Sequence, residues 1–378
     1  MIRLTFFIAL SCTLANFHVA LGASIGKSDE STIQAIFSMF RHGDRSPIYF
    51  WPTDPYINYV WPGGEGSLSE KGVHQHYNLG MNLKKRYGHL LPKDGRYSKD
   101  NMLVKSSFIE RCVMSGLSLL TGFMPPRNES YPIPFKWQPV PIVTIPQYQD
   151  NILSLYRPCK KYDELYAYFR KNPPIDIQKL NEENKDIYKL LEATGRKNIT
   201  YTDIGEIYDT LLIHRDNNLT LPAWAKNIFP QRMRPFAERA YSVLTETPYM
   251  KKVKGGAWVT EVYRHMIAKR AKTLNPDRKI FFYASHDSTI IGILNALGVL
   301  HQADLLPDYA AMMVFELHSN KALHNDFEVK LVYYKNSETI KPKELHLPYC
   351  STPCSLTSFG KAVKKLIIVD YDQLCENV

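Results

Sequence analysis

Beyond its first two dozen residues the chain contains no apolar run approaching the roughly 18 to 20 residues of a membrane-spanning helix. The best late stretch, Leu366 to Val369, is far too short, so no span is expected in the body of the protein. No repeat of fixed short period runs through the chain, which argues against solenoid and propeller arrays. The formal charge is +10, yet the basic residues are scattered, as in "MNLKKRYG" and "YMKKVKGG". With no signature of a nucleic-acid module beside them, they read as a solvated surface that steers anions. Disorder is excluded as well: 44% hydrophobic and 22% charged residues are the proportions of an ordinary globular protein, and 378 residues can bury a large core.

What is present begins with "MIRLTFFIALSCTLANFHVALGAS". One early Arg3, an apolar stretch from Leu4 and small residues at Gly22 and Ala23 form the pattern of a secretory signal peptide over residues 1–23. Export to the extracellular space is expected, with the lysosomal lumen as the other destination. Sequons at Asn128, Asn198 and Asn218 fit that route and are expected glycan sites on surface loops. Of six cysteines, Cys12 leaves with the leader. The remaining Cys112, Cys159, Cys350, Cys354 and Cys375 allow at most two bridges. In "PYCSTPCS" the prolines forbid a regular helix, and a tight loop can bring Cys350 and Cys354 together. A zinc site with His346 competes, but it has no fourth ligand close by and the compartment is oxidising.

Three segments share one plan. "STIQAIFSMF" reads as a buried strand running into "RHGDRSP", followed by a helix whose capping box is Ser67 and Glu70 and whose apolar stripe is Val73, Tyr77 and Met81. On that helix His74 and His76 point to different faces and make a poor metal pair. A second strand runs to about Lys105, with a helix from about Ile109. A third occupies Ile280 to Tyr283, followed by "ASHD" and a helix carrying Ile290, Ile291, Leu294 and Leu297. Strand, charged loop and helix, three times over, predict an α/β fold with a mainly parallel, doubly wound sheet and helices on both faces. Ligands in such sheets bind at the carboxyl ends of the strands, where Arg41, His42, Arg45, Arg111, His286 and Asp287 fall. Residues 150–250, polar and rich in Tyr, Lys and Asn, read as a mostly helical cap inserted between the α/β parts, 24–149 and 251–378.

Arginines gathered around one point bind a dianion and neutralise charge in phosphoryl transfer. A histidine at their centre can attack phosphorus, and the guanidinium groups lower its pKa so that neutral imidazole persists in mild acid. A carboxylic acid must then protonate the departing alcohol, and Asp287 is the candidate. Ser285, His286 and Asp287 also spell a serine-triad vocabulary, but neighbours on an extended strand cannot converge on one point. With each of its five fixed positions taken as about one in twenty, R-H-G-x-R-x-P arises by chance in roughly one such chain in 10,000.

The sequence resembles the histidine acid phosphatases, in the branch that includes the prostatic, lysosomal and insect venom enzymes. "RHGDRSP", "TYTDIGEIYDTLL", "LPAWA", "ASHDSTIIGIL" and "LPYCSTPC" carry the likeness over nearly the whole mature chain. The resemblance implies the histidine phosphatase fold, no cofactor or metal, and phosphate monoesters as substrates. It makes His42 the nucleophile and Asp287 the proton donor, with Arg41, Arg45, Arg111 and His286 on the phosphate. It also pairs Cys350 with Cys354 and Cys159 with Cys375, leaving Cys112 a buried thiol. A homodimer is left open.

The chain departs from the family pattern in several places. Glu110-Arg111-Cys112 stands where the family usually reads D-R-T, and Lys105 stands where arginine is common; altered support of the site is the expectation. The cysteine of a further family disulfide is absent from "DYAAMMVFEL". A phytase or inositol-phosphate phosphatase of the same superfamily is the alternative enzyme. A mutase sharing "RHG" is argued against by the intact "HD". A catalytically weak secreted binding protein would be marked by a lost catalytic residue, and none is missing.

Overall fold

A computed structural model describes residues 32–125 and 137–376; the expected leader and Asn128 lie outside them. The strands are β1 (Ile33–Arg41), β2 (Met102–Ser107), β3 (Val143–Ile145), β4 (Ile280–Ser285), β5 (Met312–Ser319), β6 (Phe327–Tyr334) and β7 (Lys343–Leu345). They form one sheet in the order β3-β2-β4-β1-β5-β6-β7. β1 to β4 are parallel to one another, while β5 is antiparallel to β1, β6 to β5 and β7 to β6. β6 therefore runs with the parallel set and only β5 and β7 oppose it. The sheet is mixed but mostly parallel, as expected.

The helices in chain order are α1 (Glu70–Tyr87), α2 (Glu110–Phe123), α3 (Lys160–Lys171), α4 (Ile175–Glu183), α5 (Lys185–Glu192) and α6 (Tyr201–Asp216). They continue with α7 (Arg234–Ser242), α8 (Pro248–Arg270), α9 (Asp287–Ala296), α10 (Leu356–Val363) and α11 (Tyr371–Glu376). Alternation along the strands feeds two cores. Phe37, Met39, Phe281, Tyr283, Met313 and Phe315 face α8, α9 and α10, meeting Trp258, Ile290, Leu294 and Phe359. Ile36, Phe40, Phe282 and Val314 face α1 and α2, meeting Leu79, Leu83, Leu119 and Phe123. Each such side chain contributes about 1.5–3 kcal/mol on leaving water. Between β3 and β4 the described chain is helical, and much of it packs around a core of its own that includes Trp51, Ile187, Leu211 and Phe236.

The start of α1 differs from the sequence expectation, and its apolar stripe is not the buried face. Its N-cap is Ser69, not Ser67: the Ser69 hydroxyl accepts from the Gly72 N–H, whereas Ser67 donates to the Gly63 carbonyl. Val73, Tyr77 and Met81 are exposed, and the buried face is Gly72, His76, Leu79, Gly80, Leu83 and Tyr87. The cause is the close crossing with α2. A Cβ on Gly80 would lie 2.1 Å from the Leu119 carbonyl oxygen, and one on Gly122 would lie 2.1 Å from that of Tyr77, so the backbones meet where a side chain is absent. His76 is buried and His74 exposed, on different faces as expected.

Cys159 is bonded to Cys375 and Cys350 to Cys354, which leaves Cys112 free and buried. Both thiols of the zinc alternative are thus spent on a disulfide. Among the described residues no helix is long and apolar enough to cross a membrane.

Candidate active site

β1 stops at Arg41, and the following loop is held on three sides. The His42 N–H donates to the Ser285 carbonyl at the end of β4 (3.0 Å), and the His42 carbonyl accepts from the Ala310 N–H (3.2 Å). Gly43 runs against the start of α1, where a Cβ would sit 2.5 Å from the Gly72 carbonyl oxygen. His42 is 1% exposed, and its Nδ1 lies 2.8 Å from the Gly43 carbonyl oxygen. A carbonyl only accepts, so Nδ1 carries the hydrogen and Nε2 keeps its lone pair. Burial, and then Arg111, Arg41, His286 and Arg45, hold the imidazole well below its ordinary pKa. It is neutral in mild acid.

Three guanidinium groups stand around it. Arg41 donates to the Pro307 carbonyl (2.7 Å), pairs with Asp287 (2.8 Å) and lies over the Tyr309 ring at 4.2 Å. Arg45 donates to Asp209 Oδ2 on α6 (2.9 Å) and to the Ser46 carbonyl (3.2 Å). Arg111, in the first turn of α2, approaches the Gly66 carbonyl at 3.5 Å. The Nε–H of all three is buried without a partner. Three unpaired cationic donors in one place are what a multi-oxygen anion satisfies.

His286 caps α9 and Asp287 opens it. His286 Nε2 lies 3.0 Å from the Ser107 hydroxyl at the end of β2, and its ring centroid is 5.6 Å from that of His42. Burial first, then Arg111, brings its pKa to about 3. For Asp287, burial raises the carboxyl, but Arg41, Arg45 and His286 outweigh it and the net shift is downward. The Ser288 N–H donates to Asp287 Oδ1 at 2.7 Å. His42, Arg45, Arg111, His286 and Asp287 line one cavity of about 620 Å³, and Arg41 joins them through Asp287. Among the described residues no group of three or more His, Cys, Asp or Glu is arranged to hold a metal ion.

A family model described as the histidine phosphatase superfamily (branch 2) matches residues 32–334. The chain belongs to that family.

Prostatic acid phosphatase of Homo sapiens is 33% identical over 344 residues, 89% of this chain and 86% of that protein. Lysosomal acid phosphatase of Homo sapiens is 28% identical over 351 residues, 91% of this chain and 80% of that protein. Membership and these relatives make the chain a phosphatase of the acid type. In fold it is similar to the Hafnia alvei phytase in complex with tartrate, with a TM-score of 0.67 and 17% identity over 92% of this chain and 99% of that one. A multiple inositol polyphosphate phosphatase from Bifidobacterium longum gives a TM-score of 0.54 at 13% identity, covering 93% and 95% of the two chains.

Within this histidine phosphatase the two departures near Arg111 separate. Lys105 does not support the site: it pairs with Glu261 of α8 (2.9 Å), which also accepts from the Tyr283 hydroxyl (2.6 Å). Cys112 does reach it, with Sγ 3.6 Å from His286 Nε2 and donating to the Ser285 carbonyl at 3.3 Å. Sequence reasoning missed Asp209, Tyr309 and Ser107. Asp209 lies in "TYTDIGEIYDTLL", a stretch that carried the resemblance without showing which carboxylate meets an arginine.

Proposed function

We propose that this acid phosphatase is an exported enzyme that hydrolyses phosphate monoesters through a phosphohistidine on His42. The observation that carries the reading is the His42 ring, neutral, hydrogen-bonded through Nδ1 and set among three guanidinium groups with unpaired Nε–H donors. The ester phosphate binds to Arg41, Arg45, Arg111 and His286. His42 Nε2 attacks phosphorus, a P–N bond forms, and the bond to the ester oxygen breaks as Asp287 delivers a proton to it. Asp287 takes up that proton from solvent as the phosphate binds and the bound phosphoryl oxygens share the charge of Arg41. Water then attacks phosphorus, its proton passes to Asp287, and the P–N bond breaks to release phosphate and neutral His42. No metal is assigned a step, because the guanidinium groups supply the positive charge.

Exposed sequons at Asn198 and Asn218, which flank α6, support export and are proposed glycan sites. Both residues have φ near +57 to +58°, a region that Asn tolerates in turns. The two disulfides support an oxidising destination. Monoesters are favoured over inositol polyphosphates because Asp163 and Glu206 line the same cavity as the phosphate-binding groups and disfavour further phosphates.

The test is acid-free quenching of turnover with a labelled aryl phosphate, followed by peptide mapping. Base-stable, acid-labile label on the peptide containing His42 is expected, and none in His42→Ala, which should be folded and inactive. Substantial turnover by His42→Ala would sink the covalent route.

A further inference from the structure

Among the described residues two buried side chains make the polar contacts of the His286 ring. Ser107 Oγ lies 3.0 Å from Nε2, and Cys112 Sγ lies 3.6 Å from Nε2 and 3.8 Å from Nδ1. Parallel pairing sets Ser106 of β2 opposite Ala284 of β4, so Ser107 stands level with the chain as it enters His286. Ser107 is fully buried, and its oxygen already accepts from the Ile109 N–H at the start of α2 (3.2 Å). A buried hydroxyl still needs an acceptor for its own hydrogen. Among the described residues no carbonyl or carboxylate oxygen takes it. Cys112 Sγ is a weak acceptor whose own hydrogen goes to the Ser285 carbonyl at 3.3 Å. The strong acceptor within reach is His286 Nε2.

A neutral imidazole carries one N–H. His286 is neutral in mild acid, since burial and then Arg111 bring its pKa to about 3. With Nε2 accepting from Ser107, the ring hydrogen sits on Nδ1, whose polar contact among the described residues is the Cys112 sulfur at 3.8 Å. That N–H is what His286 has to offer an anion. The same tautomer serves the opposite end at His42, where the Nδ1 hydrogen is spent on the Gly43 carbonyl and the Nε2 lone pair is kept for attack. The reverse tautomer at His286 would turn a lone pair toward the phosphate oxygens and repel them.

We propose that Ser107 is a positioning residue that sets the tautomer of His286: its hydroxyl donates to Nε2, the ring hydrogen is held on Nδ1, and neutral His286 donates that hydrogen to the bound phosphate. The inference rests on the reading above in which His286 contacts the phosphate. One oxygen thereby orders two phosphate-binding elements, because the Ile109 N–H that it also accepts opens the helix carrying Arg111. With cysteine where the family usually reads threonine at position 112, this chain leaves the task to Ser107.

Isotope-labelled imidazole nitrogens report by NMR which ring nitrogen is protonated, and the His286 signal is the one missing from His286→Gln. At pH 6 the native protein should show His286 in the Nδ1–H form. Ser107→Thr keeps the hydroxyl and should keep that form, whereas Ser107→Val has the outline of threonine without the hydroxyl and should move the ring toward the Nε2–H form. Calorimetric affinity for inorganic phosphate should fall about tenfold in Ser107→Val and at most about twofold in Ser107→Thr, with kcat/KM falling alike for alkyl and nitrophenyl esters. An Nε2–H His286 in the native protein overturns the proposal, and so does an unchanged tautomer in Ser107→Val; if that variant does not fold, the native spectrum decides alone. A tautomer that changes while phosphate affinity does not overturns the donation to phosphate, and an unchanged affinity in His286→Gln as well assigns that failure to the phosphate reading itself.

Discussion

Arg41 and Asp287, the last residue of β1 and the first of α9, are joined by an ion pair of 2.8 Å. They are far apart in the chain, and this contact welds the two motifs into one site. It also keeps the carboxyl ionised before substrate arrives: burial alone would raise its pKa, and Arg41, Arg45 and His286 reverse the sign. The proposed proton donor thus starts as an anion, and its contribution should be largest where the leaving group most needs a proton.

Asp287→Asn keeps the size of the side chain and removes the acid. Phosphorylation of the enzyme by an alkyl phosphate should slow by roughly 100-fold or more, and by a nitrophenyl ester clearly less, because nitrophenolate departs unaided. Single-turnover kinetics on both esters checks this without interference from dephosphorylation. Equal losses would take the acid role away from Asp287.

Glu316 on β5 is fully buried and accepts from Arg86 Nε (2.7 Å) and the Tyr87 hydroxyl (2.6 Å), with His318 Nε2 at 3.0 Å. Burial pushes its carboxyl up, but hydrogen bonds from His318, Arg86 and Tyr87 prevail and hold it at about 2. The folded pKa lies below the unfolded value of about 4.3, so the contribution is full above that pH and fades as pH falls toward 2. Glu316→Gln should cost about 3 kcal/mol in urea unfolding at pH 6 and clearly less at pH 3. The same loss at both pH values would show that charge is not what the network uses.

Cys112 is buried, and burial pushes its thiol up to about 12. In a chain begun at residue 24, a thiol reagent at pH 8 should titrate no group in the native protein and about one per chain in denaturant. A thiol that reacts in the native state would place Cys112 at an accessible surface and contradict its packing under His286.

The parts legible in the sequence were those where pattern and chemistry coincide over a few residues. β1 could be read because its apolar run ends directly in Arg41 and His42, and the start of α9 because "ASHD" precedes Ile290 and Leu294. The i, i+4 spacing of Val73, Tyr77 and Met81 announced the helix α1 but not its buried face, because the helix is turned by Gly80 against Leu119, a constraint that exists only once α2 is in place. β5 and β6 went unread because their nearly continuous burial shows no alternation that separates a strand from a buried helix, and β7 because it is three residues long with two of them exposed. Asp209 and Arg45 are 164 residues apart, and no local pattern announces their contact.

The Cys159–Cys375 bond makes a covalent ring of everything between the start of α3 and α11, β4 and α9 included. His42 and Arg111 lie on the arm outside the ring, and His286 and Asp287 lie within it. A protease that nicks any single loop between residues 160 and 374 therefore opens the ring without splitting the molecule. Both halves of the site stay on one covalent body, so the enzyme can be cut and still carry its histidine loop and Asp287 together.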